Sequence, residues 1–213
     1  QLQAYLEFFL TIFKMRTLIL ILMYPILNTL FQEINTEKKF LNEIIIQEND
    51  TIIYTKESFG WEKMKELLNR KEFTDFNYEK PKTIKLTDEE QREIIHKIND
   101  YENLTWQSNL FPISETYSKN EIRTYLSKKN KPYYKEIDHI SSVNDTSAVI
   151  LTKNKLYAAY SFSKPIFFRK NNFCLFAKSI FTDKAIYDYY NVVFYKKENG
   201  KWIEWIEIYS SLN

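Results

Sequence analysis

The chain has 213 residues, is 44% hydrophobic and 17% aromatic, and sets 30 Lys and Arg against 28 Asp and Glu. That apolar and aromatic share excludes a disordered chain, and the near-cancelling charge excludes the one-sided basic field of nucleic-acid binders. The length suits one domain, or one domain with an appendage. Five of the basic residues are Arg (Arg16, Arg70, Arg92, Arg123 and Arg169). Runs such as Lys128-Lys129 and Lys196-Lys197 therefore say little about anion recognition, for which the Arg fork is the better tool.

The first informative segment is Met15–Phe31. It reads as a start methionine, a positive charge at Arg16 and an apolar run from Leu18 to Leu27, broken only by Pro25. A spanning helix needs about 20 apolar residues; the shorter run fits the core of a secretory signal peptide, about 7–15 residues. The expectation is an extension plus signal peptide over residues 1–32, with the start at Met15, followed by a single α+β domain over 33–213. It places the protein in the periplasm or at the cell surface. A longer membrane-associated N-terminus competes with this reading, but Glu7, Lys14 and Arg16 interrupt it. No cysteine directly follows the run, so a lipid-modified N-terminal Cys is not expected.

In chain order, Thr36–Ile46 carries Phe40, Leu41, Ile44 and Ile45 at helical spacing. The same stretch also reads as half of a hairpin, with Glu43–Gln47 and Thr51–Thr55 flanking Asn49-Asp50. Both readings stand. Trp61, Met64, Leu67 and Leu68 share one helical face, which predicts a helix over Phe59–Lys71. Thr83–Leu86 reads as a brief strand after the Lys80-Pro81 break. Thr87-Asp-Glu-Glu90 is a capping box, and its acidic residues suit the positive end of a helix. Ile94, Ile95, Ile98 and Tyr101 form the stripe that this helix buries. Ser118-Lys-Asn-Glu121 is a second box; it opens a helix with Ile122, Tyr125 and Leu126 inward that ends before Lys131-Pro132.

From about residue 147 the period changes to that of strands. Ala148–Thr152, Leu156–Ser163, Ile166–Arg169, Phe173–Ile180, Val192–Lys197 and Lys201–Tyr209 all have strand composition. Lys153-Asn154-Lys155, Lys170-Asn171-Asn172 and Asn199-Gly200 separate them as turns, and Asn-Gly between aromatic-rich runs is a strong hairpin signal. Helices first and an antiparallel meander last define an α+β fold.

Two glycines, Gly60 and Gly200, are too few for several mechanisms. Phosphate loops and dinucleotide fingerprints need several glycines near the pyrophosphate. The nucleophile elbow of α/β-hydrolases needs glycine on both sides of its serine. The lone cysteine, Cys174, sits in the apolar run Phe173–Ala177 and reads as a buried small hydrophobe. His96 falls off the Ile94/Ile98 stripe and reads as solvent-facing. His139, beside Asp138, reads as a loop histidine rather than an acid–base group. The histidines lack zinc-ligand spacing. Glu89, Glu90 and Glu93 are accounted for by capping and a solvated face. Trp202–Tyr209 reads as a final strand packed on the helices, in preference to a ligand-facing wall. The sequons at Asn49, Asn103 and Asn144 are expected by chance in an Asn-rich chain.

Ser161-Phe-Ser-Lys-Pro-Ile-Phe-Phe168, a following strand, and Val193-Phe-Tyr-Lys-Lys-Glu-Asn-Gly-Lys-Trp202 together resemble a group of uncharacterised exported or lipoprotein-type proteins of Bacteroidota. The resemblance covers the last third to half of the chain. It implies export and a C-terminal antiparallel sheet, and no activity. Where that group often carries Cys and Gly, between the second and third strands, this chain has Thr182–Tyr190. A site shared by the group in that loop would be absent here.

These features lead to the expectation of a non-catalytic binding or interaction module of the bacterial envelope. The alternative is a hydrolase-like enzyme using carboxylates with His139. No catalytic, cofactor-binding or metal-ligating residue is assigned, no cofactor is expected, and the partner is unknown. Nucleic acid is not expected, and membrane contact is expected only through an uncleaved leader. A cleft gathering His139, Asp138 and another acid would favour the enzyme; a flat face of exposed aromatics would favour the binder.

Overall fold

The structure, a computed structural model, describes residues 35–45, 51–75, 81–142, 154–184 and 188–212. The chain divides into two compact units, Gln1–Ile45 and Ile46–Asn213. In the first, residues 35–45 form a helix, α1, that buries Phe40, Leu41 and Ile45. The helical reading of this segment therefore holds and the hairpin reading does not. The other half of that hairpin, β1 (Ile52–Thr55), instead pairs in parallel with β4 (Ser114–Tyr117) and β5 (Ala159–Phe162). The expected leader, residues 1–32, lies outside the described residues.

The second unit is α+β, as expected. After β1 come α2 (Trp61–Leu67), β2 (Glu72–Asp75), β3 (Lys82–Lys85), α3 (Asp88–Tyr101), β4 and α4 (Lys119–Ser142). Then follow β5, β6 (Ile166–Phe168), β7 (Phe173–Phe181), β8 (Tyr189–Glu198) and β9 (Lys201–Leu212). The main sheet has seven strands in the order β4-β1-β5-β7-β8-β9, with β6 pairing β7; β2 and β3 form a separate antiparallel pair. β1 brings parallel neighbours into a sheet whose C-terminal part is the antiparallel meander.

Local chemistry sets several boundaries. Gly60, at φ 87, precedes α2, so the helix begins at Trp61 and not at Phe59. In the box before α3, the Glu90 amide donates to Thr87 Oγ1 at 3.1 Å and the Thr87 amide donates to Glu90 Oε2 at 2.9 Å. The box before α4 is different: the Ser118 hydroxyl donates to Glu121 Oε2 at 2.7 Å instead of accepting from the Glu121 amide. Asn199 and Gly200 adopt φ 51 and 80, the paired positive values of a type I′ turn.

α4 does not end before Pro132 but carries it inside. Proline removes one backbone donor and crowds the preceding turn. Contacts on both sides hold the helix across this point. Fully buried Asn130 donates from Nδ2 to the Tyr157 carbonyl at 3.0 Å and to Asp183 Oδ1 at 2.7 Å, and accepts from the Tyr157 amide at 2.8 Å. One turn on, the Tyr134 hydroxyl donates to the same Asp183 oxygen. β2 and β4, Glu-Phe-Thr-Asp and Ser-Glu-Thr-Tyr, are strands that the sequence reading did not anticipate, because neither has alternating apolar residues. The strand expected at Ala148–Thr152 lies outside the described residues.

One face of the sheet carries two apolar clusters. The larger joins Trp61 and Met64 of α2, Ile94 and Ile98 of α3, and the row Leu175, Ala177, Val192 and Phe194 of the sheet. The smaller joins Ile122 and Leu126 of α4 to Ile53, Ala159 and Phe181. The opposite face holds an aromatic layer in which Tyr54, Phe162 and Phe176 meet Trp106 and Phe111. Among the described residues no helix is long and apolar enough to cross a membrane.

Candidate functional site: a hydroxyl strip between two helical covers

Directly opposed residues of paired strands share a face, and residues two apart along a strand return to it. Ser161 lies opposite Ser179, Ser179 opposite Tyr190, and Tyr190 opposite Ser211. Thr55 of β1 extends the row, its Oγ1 standing 2.7 Å from Ser161 Oγ. Five neighbouring strands thus each contribute one hydroxyl-bearing residue to a row across the sheet. It crosses the sheet on the same face as the two apolar clusters and lies between them. On β7 both same-face neighbours of Ser179 are apolar, Ala177 and Phe181; Ser161 stands between Ala159 and Ser163, and Tyr190 between Asp188 and Val192.

The strip floors a cleft of about 420 Å³ between the start of α2 and the first turns of α4. Phe59, Phe181 and Ile122 make its apolar walls, and Lys119, Arg123 and Asp188 its charged rim. Phe59 is held by its amide, which donates to the Phe162 carbonyl at 3.1 Å, and its ring meets Tyr190 edge-on at 4.9 Å. Gly60 makes this approach possible. A Cβ there would fall 2.5 Å from Ala177 Cβ and 3.3 Å from the Tyr190 hydroxyl, and φ 87 already disfavours a side chain.

The floor is polar and largely buried. Thr55, Ser161 and Ser179 are 1%, 5% and 8% exposed. The Thr55 hydroxyl also donates to the Glu57 carbonyl at 3.1 Å. The Tyr190 hydroxyl oxygen is buried and has no hydrogen-bond partner among the described residues. An unsatisfied buried hydroxyl costs about 1–3 kcal/mol. Burial raises its pKa well above the ordinary tyrosine value, so it stays a neutral donor. A second hollow, of about 500 Å³, adjoins the cleft and shares Phe59, Lys119 and Tyr190 with it.

At the rim, Arg123 donates from Nη2 to Asp188 Oδ2 at 3.0 Å and from Nη1 to the Thr182 carbonyl at 3.3 Å. Asp188 Oδ1 accepts from the Thr182 amide at 3.3 Å. Lys119, one turn before Arg123, contributes its amide to Glu57 Oε2 at 3.0 Å. Its ammonium has no ion pair among the described residues.

The residues considered from the sequence fall elsewhere. His96 is solvent-facing on α3, with Nδ1 2.9 Å from Asp100 Oδ2. His139 lies within α4, not in a loop. Glu90 is taken up by its cap and by Arg169, whose Nε donates to it at 2.7 Å. Glu93 pairs with Lys97. Cys174 is fully buried. In the closing strand, Glu204 accepts from the Tyr195 hydroxyl at 3.0 Å and Glu207 from Tyr189 at 2.7 Å, while Ile206 enters the larger cluster. Trp202 and Ile206 of this strand are buried, and it packs beside β8 and against β2 and β3, where the sequence reading had it packed on the helices. Among the described residues no group of three or more His, Cys, Asp or Glu is placed to hold a metal ion.

The strip was missed in the sequence. Its signal is a hydroxyl at a core-facing step of each strand, and it becomes visible only once β5, β7, β8 and β9 are laid in register. No protein-family model, curated protein or solved structure matches the chain.

Proposed function

We propose that this protein is a non-catalytic binding module of the bacterial envelope, and that it takes a small polar ligand on the hydroxyl strip. One observation carries this reading. Five strands each place a hydroxyl-bearing residue in one row of a sheet face, between two apolar clusters, and the row lines a cleft. Within the row the Tyr190 hydroxyl has no partner among the described residues, at a cost of about 1–3 kcal/mol. A ligand that bonds to the row offsets that cost only when bound. Aromatic walls over convergent polar groups are the common form of a small-molecule site. The lining residues include no histidine or cysteine, and the one acid, Asp188, is engaged by Arg123. Export rests on the apolar run at Leu18–Leu27 and on the resemblance of Ser161–Phe168 and Val193–Trp202 to exported Bacteroidota proteins.

The test is expression from Met15 in a bacterial host, fractionation, and mass spectrometry of small molecules released from the purified protein. The expected result is an envelope-located product carrying a small molecule that returns unaltered. That molecule should be missing from a Ser179→Leu variant that retains the parent's far-UV spectrum and cooperative melt. A cytosolic product with an intact N-terminus overturns export, and a ligand returned chemically changed overturns the non-catalytic reading.

A further inference from the structure

We infer that the ligand of the cleft carries an oxyanion, a carboxylate or a phosphate ester, set between the α4 rim and the hydroxyl strip, with its body against Phe59 and Phe181. This rests on the binding reading above and names its ligand class.

Two observations meet here. The first is the placement of charge. Lys119 and Arg123 are four residues apart on α4, so they share a helix face, and both line the same cleft. Like charges at this spacing repel. Only Arg123 is compensated, and only in part: Asp188 and the Thr182 carbonyl take one nitrogen each, while a guanidinium has five N–H donors. Lys119 is exposed at the cleft rim, and its ammonium has no ion pair among the described residues. The two acids nearby are already committed, Asp188 to Arg123 and to the Thr182 amide, and Glu57 to the Lys119 amide.

The second is the chemistry of the floor. The Tyr190 hydroxyl is a buried donor with no partner among the described residues, and burial keeps it protonated. In the strand register Ser179 and Ser211 are the residues paired with Tyr190, and both line the cleft. Hydroxyls donate to an oxyanion without a charge of their own, and charge-assisted bonds of this kind are roughly twice as strong as neutral ones. A cationic ligand would meet Lys119 and Arg123 first.

The test uses matched probes followed by amide chemical-shift changes on the folded protein. Benzoate is set against benzamide, glucuronate against glucose, and phenyl phosphate distinguishes phosphate from carboxylate. The expected result is that anionic probes move the amides of Lys119, Arg123, Ser179, Tyr190 and Ser211. Each should bind at least about tenfold tighter than its neutral counterpart, the scale of one hydrogen bond to a charged group. Lys119→Gln should remove most of that difference, and added salt should narrow it. Preference for either benzoate or phenyl phosphate supports the inference and identifies the headgroup. Neutral probes that bind the cleft as well as anionic ones overturn the oxyanion and leave the binding reading in place, as does an anion affinity untouched by Lys119→Gln. If probes of both kinds leave the cleft amides unmoved, the binding reading falls with it.

Discussion

Two rows of the same sheet face, one residue pair apart, make different use of the same strands. In one row Ala177 faces Val192, and with Leu175 and Phe194 they are fully buried beneath α2 and α3. In the next, Ser179 faces Tyr190 and Tyr190 faces Ser211, beneath a cleft. Backbone pairing is the same in both, so the hydrogen bonds of the ladder do not distinguish them. Side-chain chemistry and helical cover do. The first row holds the fold together. The second gives up apolar burial, worth roughly 25 cal/mol per Å², for a line of donors. The site begins where the core chemistry stops, and the boundary falls between residues two apart on one strand.

The contrast can be broken at either row. The largest effect is expected in the core row. Phe194 is fully buried and meets Phe73 and Phe168 edge-on at 5.2 and 5.9 Å. Phe194→Ala should lower stability by about 3–5 kcal/mol in urea melts, with the cleft's probe affinity unchanged under conditions where the variant is folded. Gly60→Ala acts at the boundary itself. It adds a Cβ against Ala177 at a left-handed position, combining backbone strain with overpacking, each about 1–3 kcal/mol. It should also displace Phe59 and weaken binding.

Gly200 supplies the control for Gly60. It too has positive φ, but a Cβ there meets nothing within 4 Å. Gly200→Val should therefore cost the backbone strain alone, about 1–3 kcal/mol, and leave the cleft intact. A loss of binding in this variant would show that the turn and the strip are coupled. In the strip, Ser179→Ala should change the urea midpoint little, by less than about 1 kcal/mol in either direction, while weakening probe binding. If it destabilises as much as Phe194→Ala, the strip is part of the core after all.

The smallest effect concerns the latch between α3 and the β6–β7 turn. A hydrogen bond from Arg169 holds the Glu90 carboxyl below its ordinary pKa, helped by the Thr87 cap and opposed by burial. A depressed carboxylate contributes stability that is present above its unfolded value of about 4.3 and is lost as pH falls through the folded value. Arg169→Gln should therefore be less stable than the parent near pH 7. The difference should shrink as pH drops below about 4. Urea melts at pH 7 and pH 3 measure it, and an equal gap at both would assign the effect of Arg169 to its bond with the Lys85 carbonyl instead.

The sequence by itself determined what depends on neighbours a few residues apart. The Thr87–Glu90 box, the Ile94/Ile98 stripe, the Asn199-Gly200 turn and the strands it joins were all legible, because each is decided by chemistry within one turn of helix or one hairpin. Burial of Cys174 followed from the apolar run around it. Only the tertiary structure decided the rest. The parallel placement of β1 beside β4 and β5 joins segments far apart in the chain. The passage of α4 through Pro132 depends on Asn130 and Tyr134 meeting Tyr157 and Asp183. The strip of Thr55, Ser161, Ser179, Tyr190 and Ser211 exists only when five strands stand in one register. A serine in a strand looks the same in sequence whether it faces core, solvent or cleft; what differs is which helix covers it, and that is set by packing across the whole unit.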